Sequence, residues 1–524
     1  MRLPNYVCDE WKQGNSVDHT LIDPVTGEEL ATISTAGTDF RAALGYAREH
    51  GSPALQALTY AERAGLLGKI ADVLSARRPE YFEISQKNLG ATEADASFDV
   101  DGASYTVKQY AKLGQALSGK SFKDGSAVPL SKTGVFQGQH FLRPLGGVAV
   151  FINAFNFPAW GLWEKAAPAI LSGVPVLVKP ASPTAWLTQR MIEDVVKPGI
   201  LPKGALSIVC GSARDLLEHV REDDVISFTG SAGTAAKIRT HSNIAARSVR
   251  LNLEADSLNS TILGPDVSPG SALFDLLVKE VVREMTLKAG QKCTAIRRVL
   301  VSREQAHTLA AAIAERLAEV KVGNPRNPAV KCGPLVNRAQ QRAALEGLDA
   351  LCKEAKVVFG GKKDFQPIDA DRNASCFVDM TLLLCEQPLA AKAVHEVEIF
   401  GPVATLLPYD STADAIEIAR RGGGSLVASV FSDDAAFNRA VVPGIAGTHG
   451  RIMAVDSTVG TNHTGHGNVM PTCLHGGPGR AGGGEELAGL RALNLYHRRF
   501  VVQGSPALLA DLGDGAAESG VLFG

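Results

Sequence analysis

GGVAVFINA (146–154), VPVLVKP (174–180), ALSIVCG (205–211) and DVISFTG (224–230) are short apolar runs with almost no polar alternation. Runs of this kind read as strands buried on both faces, because a strand with one wet face alternates apolar and polar residues. WGLWEKAAPAILSG (160–173) and TAWLTQRMIEDVVKPG (184–199) lie between them with helical apolar spacing. Strand, helix and strand at this pace predict a parallel sheet with helices on both faces, an α/β fold.

The same rhythm resumes near 261 and runs to about 440. IRRVLVSRE (296–304), GPVATLLPY (401–409) and LVASVFSDD (426–434) read as strands, and HTLAAAIAERLAEV (307–320) as a helix. A long helix, FDLLVKEVVREMTLKAG (274–290), leads directly towards Cys293. Upstream, residues 40–120 are helical in period, as in 61–86, where Leu66, Leu67, Ile70, Leu74 and Phe82 recur at three- and four-residue steps. Residues 455–484 are rich in Gly, His, Thr and Asn and are expected to form a long surface loop; loops of that length are more often functional than incidental.

At 524 residues the chain has material for several domains or one large enzyme. Its 53 basic and 55 acidic side chains give a net charge of −2, so no electrostatic bias favours nucleic acid or an anionic membrane. No uncharged apolar run reaches the roughly 18 residues that span a bilayer, and the N-terminus lacks the apolar stretch of a signal peptide. Eight cysteines without a CxxC pair fit a reducing cytoplasm, with the thiols expected as buried apolar residues unless local context singles one out.

Context does single out Cys293, in AGQKCTAIRR (289–298), where a thiolate after a Gly-Gln turn would be a strong nucleophile towards an aldehyde. Taken with FINAFNFPAW (151–160), this segment resembles the aldehyde dehydrogenase superfamily, which carries Asn-Phe-Pro after the first strand of its cofactor domain and Gly-Gln-x-Cys at its nucleophile. VLVKPAS (176–182), ISFTGSAGTAAKI (226–238), EVEIFGPV (396–403) and GGPGRAGGGEELAGLRALNLYHRRFVVQ (476–503) follow in the superfamily's order, so the resemblance spans nearly the whole chain.

The resemblance implies a Rossmann-like cofactor domain (1–126 and 145–255), an α/β catalytic domain (256–475) and a small β oligomerisation arm (127–144 and 490–505). It implies attack by Cys293 on the aldehyde, with the tetrahedral oxyanion held by the Asn156 amide and the Cys293 backbone N–H. Hydride would pass to a nicotinamide cofactor, and water would hydrolyse the remaining thioester. Cofactor contacts are implied for Ile152, Asn153 and Phe155, for Lys179, Ser182 and Gly211, for Phe228, Gly230 and Ser231, and for Glu398 and Phe400. A homodimer or dimer of dimers is implied as well.

Three departures change the expected chemistry. Most members read Glu-Leu-Gly-Gly-Lys-Ser-Pro-Asn where this chain reads VRLNLEADSLNST (249–261), which puts Asn252 at the usual glutamate and Glu254 two residues later. Residues two apart share one face of a strand, so Glu254 is expected to serve as the general base. The usual Lys-Pro-Ala-Glu ends here in Ser182, which removes the carboxylate that would repel a 2′-phosphate and favours NADP over NAD. The family's glycine at the sixth position of GSAGTA is Ala235, which lessens the expected phosphate role of that helix N-terminus.

EADSLN (254–259), AFNFP (154–158) and the histidine-rich loop are similar to the dehydrogenases of bacterial aromatic ring cleavage that act on a semialdehyde still carrying coenzyme A. A chain of this length leaves no room for a fused hydratase domain, which points to the stand-alone benzoate-route type. Alternatives are a CoA-acylating dehydrogenase, which uses the same cysteine without the base, and a thiol-dependent hydrolase. His463, His466, His475 and Cys473 fit no tight zinc spacing, so no metal is expected, and these loop histidines are read as substrate contacts or solvent-exposed groups.

Overall fold

Residues 1–362 and 364–523 are described by the computed structural model. The four decisive runs form parallel strands Ala149–Ile152, Val176–Lys179, Leu206–Ile208 and Val225–Thr229, and Arg250–Glu254 adds a fifth. Their spatial order runs from Arg250–Glu254 through Val225–Thr229, Ala149–Ile152 and Val176–Lys179 to Leu206–Ile208, and the short strands Asn5–Val7 and Glu10–Lys12 complete seven. Alternate side chains enter separate cores. Phe151, Val178 and Ile208 pack with helices Tyr60–Ala76, Glu93–Gln115 and Trp160–Ser172, whereas Val150, Leu177 and Val209 join the opposite core. This two-sided burial is why the strands carry no polar alternation.

A second seven-stranded sheet has the order Lys356–Gly360, Thr381–Leu384, Val403–Tyr409, Arg298–Ser302, Ser260–Leu263, Ser425–Phe431, His449–Val455, all parallel except the first. A third sheet joins His497–Gly504, Gln137–Pro144, Phe122–Pro129 and Ala517–Glu518. Its strands begin at Phe122 and His497, so its bounds differ from 127–144 and 490–505, and residues 489–496 form a 3-10 turn instead of strand. No helix among the described residues is long and apolar enough to cross a membrane.

Local chemistry shifts several expected boundaries. The periodic stretch 61–86 is two helices, Tyr60–Ala76 and Arg78–Leu89, split at Arg77 because Pro79 occupies the first turn of the second, where its missing N–H costs nothing. The helix expected over 274–290 ends at Thr286. Trp160–Ser172 has no cap from its own N-terminal residue; instead Asp99, on the neighbouring helix, accepts the Trp160 N–H at 2.7 Å.

The long loop is not simply surface. Leu474–Gly476 and Glu485–Leu487 pair within it, and His466 and His475 are buried. The thiols also depart from expectation, since Cys352 and Cys473 are exposed and Cys8 is half-buried.

Candidate active site

In the first sheet, strand Ala149–Ile152 has neighbours on both sides whose connections run in opposite directions, the arrangement that opens a crevice at the carboxyl ends. The residues leaving those ends line a cavity of about 650 Å³: Ile152, Asn153 and Phe155 after the first strand, Lys179 and Ser182 after the second, and Phe228, Gly230 and Ser231 after the fourth. The second sheet closes it with Glu398 and Phe400, and Cys293 and Glu254 lie at its inner end.

The nucleophile sits on a strained turn. Lys288 (φ 54) and Ala289 (φ 52) are left-handed, a conformation that costs a non-glycine residue about 1 kcal/mol or more. Gly290 is also left-handed, and a Cβ there would meet the Gly401 carbonyl oxygen at 2.2 Å. The turn persists because buried groups hold it. The Lys288 N–H donates to the Asp95 carboxylate, and Arg297 donates to Gly290 O (2.8 Å), Lys292 O (3.1 Å) and Gly401 O (2.9 Å). Asn259 donates to the Cys293 carbonyl at 2.7 Å. Burial, and then the Glu254 carboxylate, push the Cys293 thiol well above its ordinary value. The resting sulfur is a thiol.

Glu254 Oε1, Cys293 Sγ and a His475 ring nitrogen all lie within 4.8 Å of one another. His475 Nε2 is 3.1 Å from Glu254 Oε1. Burial alone would raise the Glu254 pKa, but His475, with smaller help from Lys165 and the Cys293 hydrogen bond, lowers it to about 2. Conversely, burial opposes charge on His475, yet Glu254 lifts it to about 9. Asn252 faces the same interior but takes another partner, donating to Glu486 Oε1 at 2.7 Å. Lys165 contacts Glu164 at 2.6 Å and Glu486 at 3.0 Å.

Asn156 is 5% exposed, and its amide makes no hydrogen bond among the described residues, nor does the Cys293 backbone N–H. Both are free to donate to a carbonyl oxygen. A second, narrow cavity of about 40 Å³ reaches Cys293 and Asn156 past the apolar walls of Phe98, Phe157, Trp160 and Val469.

Along the larger cavity, burial raises Glu398 to about 7 against the pull of Arg297, and its Oε1 is buried without a partner. An orphaned acceptor in a cavity wall suits a hydroxyl or N–H donor of a ligand. Phe400 meets Phe155 edge-on at 5.6 Å. Ser231 caps helix Ala232–Arg239, and the Ala232 N–H already donates to Asp256 at 2.8 Å. That helix N-terminus therefore carries its own carboxylate.

The structure brings together every candidate residue except Gly211, which lies outside the cavity walls; a Cβ there would strike Asp18 and Thr35. The loop histidines separate. His475 reaches the site and His466 contacts Ser429 at 2.9 Å, so neither is solvent-exposed, while His463 is half-buried. Sequence reading missed Arg297, Asn259, Glu164, Lys165 and Glu486. Their signal was weak, because a charged residue inside an apolar stretch marks burial without naming its partner.

Comparison with known proteins shows which family the chain belongs to. Residues 11–492 match the aldehyde dehydrogenase family. The chain is 64% identical over 479 residues to a 3,4-dehydroadipyl-CoA semialdehyde dehydrogenase of Aromatoleum evansii, covering 91% of this chain and 93% of that one. It is 43% identical over 182 residues to the protein MaoC of Klebsiella aerogenes, covering 34% and 52%. In fold it resembles a mutant betaine aldehyde dehydrogenase of Staphylococcus aureus in complex with NAD+, with a TM-score of 0.84, 23% identity, and coverage of 96% and 97%.

Proposed function

Since the chain belongs to the aldehyde dehydrogenase family, we propose that it oxidises a CoA-linked semialdehyde, such as 3,4-dehydroadipyl-CoA semialdehyde, to the carboxylate with NADP. The observation that carries the chemistry is the convergence of Cys293, Glu254 and the unpartnered Asn156 amide on one narrow cavity. The substrate class rests on the relative at 64% identity. It also suits the apolar throat, which admits a slender acyl chain and leaves a bulky coenzyme A outside.

Because the resting sulfur is protonated, attack begins with loss of the thiol proton to solvent. The sulfur then bonds to the aldehyde carbon, and the C=O electron pair moves onto oxygen. Asn156 and the Cys293 N–H stabilise that oxyanion, each such donor being worth about 3–4 kcal/mol. Lys179, Ser182, Glu398 and Phe400 would hold NADP in the larger cavity, where the bound cofactor would supply the acceptor for hydride from the tetrahedral carbon. Glu254 next accepts a proton from the water that attacks the thioester. The C–S bond breaks, the carboxylate leaves and the sulfur regains a proton.

Lys179 and Ser182 support NADP over NAD, because no carboxylate stands at position 182 and the lysine ammonium adds positive charge. Free thiols throughout the chain suit a reducing cytoplasm. The test is reduced-nicotinamide absorbance with free and CoA-linked semialdehydes, each with both cofactors and no added thiol. CoA-linked substrate with NADP is expected to turn over fastest, and Cys293→Ala to abolish turnover without unfolding. Dependence on added coenzyme A would instead mark an acylating enzyme.

A further inference from the structure

Glu164, Glu254 and Glu486 place carboxylate oxygens within 4.8 Å of one another, all buried. Three buried negative charges so close repel strongly, and each needs a cation or a proton. Only two cationic side chains enter the cluster among the described residues. Lys165 contacts Glu164 and Glu486 and acts on Glu254 only from a distance, so His475 is the cationic side chain in direct contact with Glu254. Of the three carboxylates, Asn252 donates to Glu486. The remaining titratable neighbours are the Cys293 thiol, hydrogen-bonded to Glu254, and the phenols of Tyr110 and Tyr496, which burial keeps neutral.

His475 is well anchored for such a role. Its strand Leu474–Gly476 pairs with Glu485–Leu487, and that hairpin is tied to the strand of Glu254 by Gly484 N–H to Leu253 O (3.0 Å) and Ala255 N–H to Ala481 O (3.0 Å). The ring therefore approaches the carboxylate from a backbone bonded to the same strand.

We propose that His475 is a positioning residue for deacylation, whose imidazolium keeps Glu254 ionised and aimed at the water that attacks the Cys293 thioester. The inference rests on Glu254 being the base. The make-up of the cluster agrees with it: two cationic side chains meet three carboxyls, and burial raises Glu486 to about 7 against the opposing pull of Lys165. Glu254 can then accept a proton from water because its own carboxyl is empty. The thioester carbon gains the hydroxyl, the C–S bond breaks, and the proton passes from Glu254 to solvent.

The test is the pH dependence of turnover and of the first burst of reduced cofactor, from pH 5 to 9, in wild type, His475→Gln and Glu254→Gln. Glutamine keeps a donor but removes the cation, so burial then dominates Glu254 and its pKa rises. The acid limb of turnover is expected to move up by about 1–3 pH units, with the burst amplitude retained and activity returning towards wild type at pH 9. A uniform loss at every pH, with the limb unmoved, would overturn the inference and leave His475 a packing residue. Should His475→Gln fail to fold, wild type decides: hydrolysis must stay flat to below pH 6, and a limb above pH 6 overturns the proposal. Continuous turnover by Glu254→Gln would instead remove the base assignment itself, which separates the two failures.

Discussion

Asn252 and Glu254 lie two residues apart on one strand and face the same buried interior, yet they meet different partners: Asn252 donates to Glu486 Oε1 at 2.7 Å, and Glu254 meets His475 at 3.1 Å beside Cys293. Moving the carboxylate two residues along the strand preserves its face because side chains alternate with a period of two. Glu254→Gln should therefore release one burst of reduced cofactor and stall, with hydrolysis slowed roughly 10²–10⁴-fold. Asn252→Ala should continue to turn over. Rapid-mix traces, with the acyl-enzyme weighed by intact mass, check both.

The elevated Cys293 pKa predicts a pH-dependent reactivity. Alkylation by iodoacetamide at Cys293 should be slow at pH 7 and still rising at pH 9, since the thiolate is what reacts. Removing the neighbouring negative charge in Glu254→Gln lowers the thiol pKa, and the thiolate fraction grows roughly tenfold for each pH unit of that fall. Alkylation at pH 8 should therefore be faster in the variant, with peptide mapping to separate Cys293 from the exposed Cys352 and Cys473. A slower rate would mean that Glu254 assists the thiol more than it opposes the thiolate.

Ser182→Glu restores a carboxylate where a 2′-phosphate is expected. The ratio of kcat/KM for NADP over NAD should fall by at least roughly tenfold, a 1.4 kcal/mol change of the size two exposed like charges can impose. Equal values for the two cofactors in the unmodified protein would show that position 182 does not select.

Arg297 is 5% exposed and donates to the carbonyls of Gly290, Lys292 and Gly401. Arg297→Met removes three charge-assisted hydrogen bonds, worth about 1.5–3 kcal/mol each at most, while each carbonyl keeps a backbone N–H donor, from Lys292, Ala295 and Val403. The variant should melt several degrees lower, and its burst should fall more than its cofactor affinity, because the left-handed turn before Cys293 loses its clamp. An unchanged burst would mean that the turn holds itself.

Strand His497–Gly504 is the edge of its sheet and exposes Phe500 (39%) and Val501 (48%). An apolar edge of this kind favours pairing with another copy. Sedimentation at micromolar concentration should give two or four times the chain mass, and Phe500→Asp with Val501→Asp should shift it towards monomer. A monomeric wild type removes the assembly claim.

Four strands of the first large sheet and three of the second were legible in the sequence because two-sided burial leaves an unbroken apolar run, a local signal that survives without its neighbours. Cys293, Asn156 and the expected cofactor contacts were named from the sequence for another reason: short motifs rich in Gly, Pro and Asn carry the resemblance to a family, and the resemblance implies their roles. What tertiary structure alone decided was partnership. His475 lies 221 positions from Glu254, and read as part of a glycine-rich loop it looked like a substrate contact or an exposed group. Only the hairpin tied to Leu253 and Ala255 carries it into the interior, where a low dielectric makes one cation worth far more than it would be in water. The charge state of the site is a property of the buried cluster, and no stretch of the chain contains the cluster.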